Sequence, residues 1–213
     1  MRTVISWSGG KDSCYAMMQA ITAGHQPVVL LNMMNENGKI SRSHGLPHSI
    51  LRQQAEALGL VVVTIPATWE AYEDRFVAAL QQLVDLYKIE AAVFGDIDLQ
   101  QHRDWEEKVC AAAGIKAVLP LWQQPRKKLV QEMLDGGVQS MIVSCNTQLG
   151  QSFLGRVLDE DLVEELEVMG VDACGENGEF HTLVLDCPLF REPVRIGAYT
   201  KVRHGDYWFL QWE

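Results

Sequence analysis

The sequence lacks a long hydrophobic run, a closely spaced cysteine pair and any excess of basic residues. Its longest uncharged stretch, Gly136–Gly155, is interrupted by eight polar side chains and is therefore a poor candidate for a membrane span. The apolar run that follows Met1 is too short for the core of a signal peptide. We therefore expect a soluble, cytoplasmic protein with no membrane partner.

The five cysteines are odd in number, widely spaced and never arranged as CxxC. This pattern argues against a disulfide framework and against a zinc site built on cysteines, and it is typical of reduced thiols in a cytosol. We expect most of them to be small buried hydrophobic residues. They are Cys14, Cys110, Cys145, Cys174 and Cys187.

The charge balance is acidic, with 18 basic and 28 acidic side chains and a formal net charge of -10 over 213 residues. Nucleic-acid binding needs clustered lysine and arginine, so this balance disfavours nucleic acid as the main partner. The acidity is concentrated in residues 159–192, which hold eleven acidic side chains and one basic one. A negative electrostatic potential of this kind would attract a cationic ligand, although much of the acidity can equally be a solvated helix face.

Short β-branched segments alternate with segments of helical periodicity up to about residue 145. This alternation predicts an α/β fold with a parallel, Rossmann-like sheet covered by helices. After this point the sequence pattern changes, and it predicts a polar connector, an acidic helix near Glu160–Met169 and a hairpin around His204–Asp206. We therefore expect two domains, residues 1–145 and a smaller α+β domain of residues 146–213. The predicted parallel strands are Thr3–Trp7, Val28–Asn32, Val61–Ile65, Ala91–Phe94, Ala117–Leu119 and Ser140–Ser144.

Amphipathic periodicity predicts five helices in the larger domain. In the third, aromatic and leucine side chains recur at steps of three and four from Trp69 to Tyr87, and we expect them to be core residues rather than ligand contacts. Glycines just past three of the helix ends favour left-handed caps. The other helices are predicted at Lys11–Ala23, Pro47–Leu58, Leu99–Ala113 and Arg126–Leu134.

The strongest motif lies between the first strand and the first helix, in the segment Ser6–Ser13 with the sequence SWSGGKDS. Its glycines let the backbone approach an anion, its amide groups point at that anion, and the helix N-terminus adds positive potential. Lys11 contributes a point charge, and serine hydroxyls contribute donors. The simpler interpretation is a turn that caps a helix, but the strand-to-helix position favours a phosphate loop. The predicted loop residues are Ser8, Gly9, Gly10, Lys11, Asp12 and Ser13.

The SGGKDS element differs from the GxxxxGK[ST] of a P-loop NTPase and resembles the pyrophosphate loop (PP-loop) of the N-type ATP pyrophosphatases. Two further regions resemble the diphthine–ammonia ligase family. The first comprises Phe94–Ile97 (FGDI), His102–Trp105 (HRDW) and Leu119–Trp122 (LPLW). The second is Cys174–Phe190, CGENGEFHTLVLDCPLF, where that family typically has CGEGGEYETL followed by DCPLF. The resemblance covers nearly the whole chain.

Asn177, Phe180 and His181 depart from the family pattern, which usually has glycine, tyrosine and a second glutamate there. The segment Ser41–His48 lacks the DSYMYQ-like stretch of members that act on diphthine, so the chain looks closest to the prokaryotic relatives. The resemblance implies the HUP-type ATP pyrophosphatase fold and a reaction that uses ATP and Mg²⁺. It implies that a carboxylate acceptor, free or protein-borne, is adenylated with release of pyrophosphate and then converted by ammonia into an amide. Diphthine and other carboxylates are both open as the acceptor.

Gly95 and Asp96 end the fourth predicted strand, at the edge of the sheet where α/β proteins bind ligands. Asp96 is therefore a candidate ligand for Mg²⁺ or the ribose, and a turn aspartate that caps the next helix is the alternative. Arg103, which follows within the next helix, suits a developing negative charge or else lies on a solvated helix face. Arg42 and His44 lie in a loop after the second strand that could cover a bound nucleotide.

Glu176 and Glu179 lie in a predicted bend that is flanked by glycines. The family resemblance implies that these carboxylates bind the amine, deprotonate it or orient the acceptor, and the alternative is a surface turn. His181 either replaces a family carboxylate or faces the domain junction. We therefore predict that the catalytic residues are Lys11, Arg103, Glu176 and Glu179.

Two other functions fit the same loop. A PP-loop enzyme that modifies tRNA through an adenylated base is one, but its thiolation versions use a CxxC pair or a relay cysteine that is not visible here. A non-catalytic sensor of adenine nucleotides is the other, and Lys11 together with the paired glutamates argues against it. The basic run Arg126–Lys128 either contacts a phosphate or tRNA, or is a helix start in solvent, which is the more common case.

Overall fold

The first half of the chain folds into a parallel sheet of five strands in the computed structural model, which describes residues 1–212. The strands are β1 (Arg2–Ser6), β2 (Gln26–Met34), β3 (Val61–Pro66), β4 (Ala91–Val93) and β5 (Lys116–Val118). They lie in the order β3-β2-β1-β4-β5. The order reverses between β1 and β4, and α/β proteins bind ligands at such a switch point. The predicted Rossmann-like fold is confirmed.

Five helices cover the two faces of this sheet: α1 (Lys11–Thr22), α2 (His48–Leu58), α3 (Tyr72–Tyr87), α4 (Gln100–Ala112) and α5 (Arg126–Asp135). Successive β1 residues face opposite sides, so that Val4 packs with α3 and α4 while Ile5 packs with α1, α2 and α5. The helices match their predicted positions closely except at the start of α3. The aromatic periodicity begins at Trp69, about one turn before the helix itself begins at Tyr72. No helix within residues 1–212 is long and apolar enough to cross a membrane.

A second sheet of four antiparallel strands follows. Its elements are β6 (Gln139–Asn146), α6 (Glu160–Val168), β7 (Phe180–Asp186), β8 (Tyr199–His204) and β9 (Tyr207–Trp212), with the strands in the order β7-β6-β9-β8. The prediction that Ser140–Ser144 is a sixth parallel strand is therefore wrong. Because β6 is buried along nearly its whole length, it reads as a continuous apolar run and resembles a parallel strand. The parallel sheet ends with β5, and the antiparallel sheet begins with β6. The domain division at residue 145 stays a prediction.

The two sheets meet at the phosphate loop. The Val184 N–H of β7 donates to the Gly9 carbonyl at 2.9 Å, and the Lys11 N–H donates to Thr182 Oγ1 at 3.1 Å. The fully buried Gln54 amide donates to the carbonyls of Gly9 and Val184, at 2.9 Å each. The position of the loop therefore depends on the second sheet as well as on its own strand and helix.

Candidate functional site

A cavity of about 890 Å³ opens where β1 and β4 end, at the switch point of the parallel sheet. This volume is within the range of small-molecule sites in proteins. Residues of the phosphate loop, the segment after β4 and the helix α4 line one side of the cavity. The opposite side comes from the second half of the chain, through Cys174–Gly178 and the first residues of β7. Both halves therefore contribute to one site.

The phosphate loop has the backbone features of an anion-binding loop. Helix α1 begins at Lys11 with Gly10 as its N-cap and without a side-chain cap, so the cavity lies at an uncapped helix N-terminus. Gly9 has a φ of 87°, and a Cβ there would lie 2.6 Å from Leu46 Cδ1, so only glycine fits. Ser8 and Ser13 line the cavity with their hydroxyl oxygens 3.1 Å apart.

Lys11 is the buried cation of the site, with 3% of its side chain exposed. Its Nζ donates to both carboxylate oxygens of Asp12 at 2.9 Å and to the Cys174 carbonyl. Burial alone would lower the pKa of the Lys11 ammonium, but the charge of Asp12, its hydrogen bond to Lys11 and the charges of Cys174 and Glu176 together outweigh burial and hold the pKa above its usual range. Lys11 is therefore charged, and it links the phosphate loop to the second half of the chain.

Asp96, in the segment after β4, lines the cavity and takes part in a chain of polar contacts. Its carboxylate lies 2.6 Å from His102 Nδ1 and is hydrogen-bonded to Glu106. Burial opposes ionisation of Asp96, but these two hydrogen bonds and the His102 charge hold its pKa below the usual range. Burial and the bond to Asp96 raise the pKa of Glu106 to about 11, so Glu106 is a neutral acid that donates to Asp96.

Glu176 enters the cavity from the second half of the chain. Its Oε1 accepts the Ile97 N–H at 3.3 Å, which places the carboxylate beside the end of β4. Burial, and after it the charge of Asp12, raises the pKa of Glu176 to about 7. A carboxyl group with that pKa can exchange a proton near neutral pH.

Two histidines line the cavity near the phosphate loop. His44 and His181 have ring centroids 4.7 Å apart, and a Cβ at Gly10 would lie 2.7 Å from His44 Nε2. Burial lowers the pKa of His181 to about 4 and that of His44 well below its usual value, so both rings are neutral. Arg42 lies outside the main cavity, with its guanidinium over the Trp69 ring at 4.3 Å, and donates to the Ala67 carbonyl.

The periodicity predicts that the aromatic side chains at and just before the start of α3 are core residues. In the structure, not all of them are. Trp69 is 72% exposed, and it lines the cavity together with Tyr72 and Trp105. Phe76, Leu80 and Leu83 are buried as expected. Because the first turn of α3 lies at the carboxyl edge of the sheet, its aromatic residues face the site instead of the core.

Most of the predicted site residues are brought together. The residues that line the cavity are Ser8, Lys11, Asp12, Ser13, Gly95, Asp96 and Glu176, and Gly9 and Gly10 lie buried behind them. Arg103 and Glu179 are outside the lining. Arg103 Nε donates to Glu107 at 2.7 Å on the helix surface, and the Glu179 carboxylate accepts the Asn177 N–H at 3.1 Å within its own bend.

Sequence reasoning missed three residues of the site, Glu106, Thr182 and Gln54. The spacing of His102 and Glu106 puts them on one face of α4, so the motif around His102 was a usable signal for Glu106. Thr182 and Gln54 act on the phosphate loop through contacts between residues more than forty positions apart in the sequence, and no local pattern marks them.

Gly95 has a packing role that its place beside Asp96 did not reveal. A Cβ at this position would lie 2.7 Å from the backbone carbon of Asp12 and 2.8 Å from the Ser13 nitrogen. The end of β4 therefore approaches the first turn of α1 more closely than any side chain would allow. Gly95 brings Asp96 and the phosphate loop into the same cavity.

The parallel sheet, its switch-point cavity and the SGGKDS loop define a PP-loop protein of the ATP pyrophosphatase type. Family models described as the diphthamide synthase N-terminal domain and C-terminal domain match residues 1–117 and 125–213. The chain belongs to the diphthamide synthase family, and the resemblance stated from its motifs is confirmed.

Curated relatives agree with this assignment. A human protein named diphthine–ammonia ligase is 31% identical, with 96% of this chain and 86% of the human protein covered. The protein of that name from Danio rerio is 32% identical, with 97% and 90% covered. A solved structure described as a predicted subunit of tRNA methyltransferase from Methanocaldococcus jannaschii aligns with 88% of this chain and 98% of that one, at a TM-score of 0.46 and 18% identity.

Proposed function

We propose that this protein is an ATP-dependent ligase that adenylates a substrate carboxylate, releases pyrophosphate and forms an amide with ammonia. The observation that carries the proposal is the meeting of two charged groups in one cavity. Lys11 lies in the phosphate loop, and its ammonium contacts the Cys174 carbonyl, two residues before Glu176. A group that binds departing pyrophosphate and a group that can deprotonate an amine thus face the same space.

In the first step the acceptor carboxylate attacks the α phosphorus, and the bond from that phosphorus to the pyrophosphate oxygen breaks. The N-terminus of α1, Lys11 and the hydroxyls of Ser8 and Ser13 stabilise the negative charge on the leaving pyrophosphate. These groups are held in place by burial and by β7, so they need little rearrangement as charge develops.

Mg²⁺ fits beside Asp96, which the low pKa of its carboxyl keeps ionised. Within residues 1–212 no group of three or more histidine, cysteine, aspartate or glutamate side chains is placed to hold a metal. Mg²⁺ commonly takes one or two carboxylates and completes its shell with water and phosphate oxygens. Asp96 would hold the ion together with the nucleotide, and the ion would neutralise phosphate charge.

In the second step ammonia attacks the acyl carbon, the C–N bond forms and the C–O bond to AMP breaks. Glu176 takes the proton that the attacking nitrogen loses, and its pKa of about 7 suits that exchange. Glu179 supports the bend through its contacts to the backbone and side chain of Asn177, at 3.1 Å each.

The acceptor that we propose is diphthine on a protein, or a carboxylate of similar shape, because the relatives described above are named diphthine–ammonia ligases. Those names do not favour a tRNA-modifying enzyme or a nucleotide sensor. A reducing cytoplasmic location suits the five buried cysteines, none of which forms a disulfide.

The test is to incubate the protein with ATP, Mg²⁺, ammonium and an acceptor whose carboxylate carries ¹⁸O. A diphthine-bearing protein and a panel of free carboxylates serve as acceptors. We expect AMP and pyrophosphate to form together with the amide, and one ¹⁸O to appear in AMP, because the acceptor oxygen stays on the phosphorus. Formation of ADP and phosphate, or of AMP without label, would contradict acyl adenylation.

A further inference from the structure

Arg126, the first residue of α5, connects segments from the two halves of the chain. Its Nε and Nη2 donate to the two carboxylate oxygens of Asp98 at 2.8 and 2.6 Å. Its Nη1 donates to Asp172 Oδ2 at 2.6 Å and to Asn177 Oδ1 at 3.2 Å. The planar guanidinium suits this set of partners because its donors point in fixed directions, which a lysine ammonium cannot reproduce.

Helix stability does not explain this arginine. A positive charge at a helix N-terminus is opposed by the helix dipole, and α5 begins with three in a row. Lys127 and Lys128 pair with surface carboxylates and keep 77% and 65% of their side chains exposed. Only 26% of the Arg126 side chain is exposed, and its partners lie on other segments. Arg126 therefore differs from the solvent-exposed helix start that is usual for a short basic run.

The contact with Asp172 is passed on to the loop of residues 172–178, which we call the carboxylate loop. The two Asp172 oxygens accept the N–H groups of Cys174 at 3.0 Å and Glu176 at 3.1 Å. The Cys174 thiol donates in turn to the Arg126 carbonyl at 3.1 Å. Both the side chain and the backbone of Arg126 therefore hold this loop.

The carboxylate loop delivers two groups to the cavity. The Cys174 carbonyl accepts the Lys11 ammonium, and the Glu176 carboxylate accepts the Ile97 N–H next to Asp96. Asp98, the other main partner of Arg126, follows Ile97 by one residue. Arg126 thus ties the segment after β4 to the loop that must face it.

We infer that Arg126 is a positioning residue, which holds the carboxylate loop against the Asp96–Asp98 segment so that Glu176 faces Lys11 across the cavity. Arg126 is not among the cavity-lining residues, so it acts through the loop. The consequence for catalysis rests on the function proposed above for Glu176, whereas the placement of the loop does not.

The test compares Arg126→Ala and Arg126→Lys with Lys127→Ala, the matched control on the next residue. Hydrogen exchange of the amides of residues 174–176 reports the loop without any activity. We expect exchange in Arg126→Ala to be faster by about tenfold or more, because the Asp172 acceptor is no longer held. Arg126→Lys should show a smaller increase, and Lys127→Ala should match the parent protein.

The second measurement is the steady-state kinetics of the same variants. Since a small displacement of a catalytic group can cost about 100-fold in rate, we expect kcat for amide formation to fall by about tenfold or more in Arg126→Ala. The KM for ATP should change less than about threefold, because the Arg126 side chain contacts no residue of the phosphate loop directly. Partial recovery in Arg126→Lys is also expected.

The outcomes separate the two proposals. Unchanged exchange at residues 174–176 in Arg126→Ala overturns the positioning role, whatever the activity. Faster exchange across the whole protein, in step with a fall in Tm, means that Arg126→Ala destabilises the whole fold, and Asp98→Asn then decides with a milder change. Unchanged exchange at residues 174–176 in Asp98→Asn overturns the positioning role. Faster local exchange in a protein that forms no amide with any acceptor leaves the positioning role standing and removes the proposed function.

Discussion

The two halves of the molecule contribute to one cavity in different ways. The parallel-sheet half contributes through position, because Ser8–Ser13 and Gly95–Asp96 follow the ends of adjacent strands, and such ends meet at one edge. The antiparallel half contributes through contacts over long sequence separations, such as the Lys11 N–H to Thr182 Oγ1 bond. The first kind of site can be found from sequence, whereas the second needs the fold.

The halves also differ in the charge that they contribute. Lys11, from the parallel-sheet half, is the buried cation next to the loop that would receive phosphates. The antiparallel half contributes Glu176, whose pKa of about 7 leaves it able to take up a proton. If this division is functional, variants in the first half should affect the adenylation step, and variants in the second half should affect the amine step.

The largest expected effect is that of Lys11→Met. Removing one preorganised charge that stabilises a leaving group typically costs about 10² to 10³ in rate, so pyrophosphate release should fall by about 10³. The measurement is single-turnover pyrophosphate formation at saturating ATP and acceptor. Lys128→Met, which removes an exposed cation, is the control. A loss of less than about tenfold would contradict the role of Lys11 as the main cation.

Glu176→Gln tests whether the antiparallel half supplies the base for the amine step. Amide formation should fall by about 10², the usual minimum for a general base, with the Kd for ATP unchanged. In the parent protein the rate should decline as the pH drops below about 7, because protonation removes the base. That acid limb should be absent from Glu176→Gln. Equal losses in ATP binding and amide formation would break the division between the halves.

Glu176→Gln should also be more stable than the parent protein at alkaline pH. The folded pKa of Glu176 is raised above the ordinary value of 4.5, so ionisation costs stability as the pH rises from about 4.5 through 7. Glutamine has no proton to lose. At pH 8 the free energy of unfolding of Glu176→Gln should therefore exceed that of the parent, on the order of 1 kcal/mol after solvent screening. At pH 4 the two proteins should have the same free energy of unfolding. Urea unfolding at the two pH values measures it.

Gln54→Ala should break the junction between the halves. It leaves the Trp7 indole N–H without its buried partner and removes the Gln54 donor from the carbonyls of Gly9 and Val184, of which Gly9 keeps the Val184 N–H. Each unsatisfied buried group costs about 1–3 kcal/mol, and partial relaxation should hold the total loss of stability to about 2 kcal/mol. Gln82→Ala, on the exposed face of α3, is the control in urea unfolding. A loss equal to that of the control would mean that the sheets do not depend on this contact.

Sequence could predict the features that local pattern controls. The Rossmann-like sheet, the helices and the final hairpin follow from periodicity, glycine placement and strand-end position, and the structure confirms them. The loop Ser8–Ser13 lies between β1 and α1 as expected, and its role in binding phosphate stays a prediction. The order β3-β2-β1-β4-β5 explains why Gly95 and Asp96 join the loop, although they lie more than eighty residues away.

Features that depend on partners could not be predicted in this way. The sequence of β6 predicts a parallel strand, because burial on both faces erases the alternation that marks an antiparallel one. Trp69 and Tyr72 have the same period as core residues, and only the position of the sheet edge places them in the cavity. Arg126 resembles a surface cation until Asp98 and Asp172 are seen on either side of it.

Gly95→Ala tests whether the close packing of β4 on α1 supports the phosphate loop. The added Cβ would meet the Asp12 and Ser13 backbone at 2.7 and 2.8 Å, so β4 or the start of α1 must move. We expect a loss of about 1 kcal/mol in stability and weaker ATP binding, because overpacking shifts the backbone of the phosphate loop. Gly197→Ala, where a Cβ meets nothing within 4 Å, is the control. Calorimetry of ATP binding together with Tm measures both effects, and unchanged values would show that the contact relaxes freely.

The smallest expected effect is that of Arg103→Ala, a residue that its motif predicted to be catalytic. In the structure its guanidinium pairs with Glu107 and lies 5.0 Å from the Trp122 ring centre, away from the cavity. An exposed pair of this kind contributes about 0.3–0.5 kcal/mol, so kcat/KM should change less than about threefold. Arg52→Ala, which removes another exposed pair four residues apart on a helix, gives the matched baseline. A loss of tenfold or more in Arg103→Ala alone would mean that the arginine turns into the site when ATP binds, and that this half contributes a second cation.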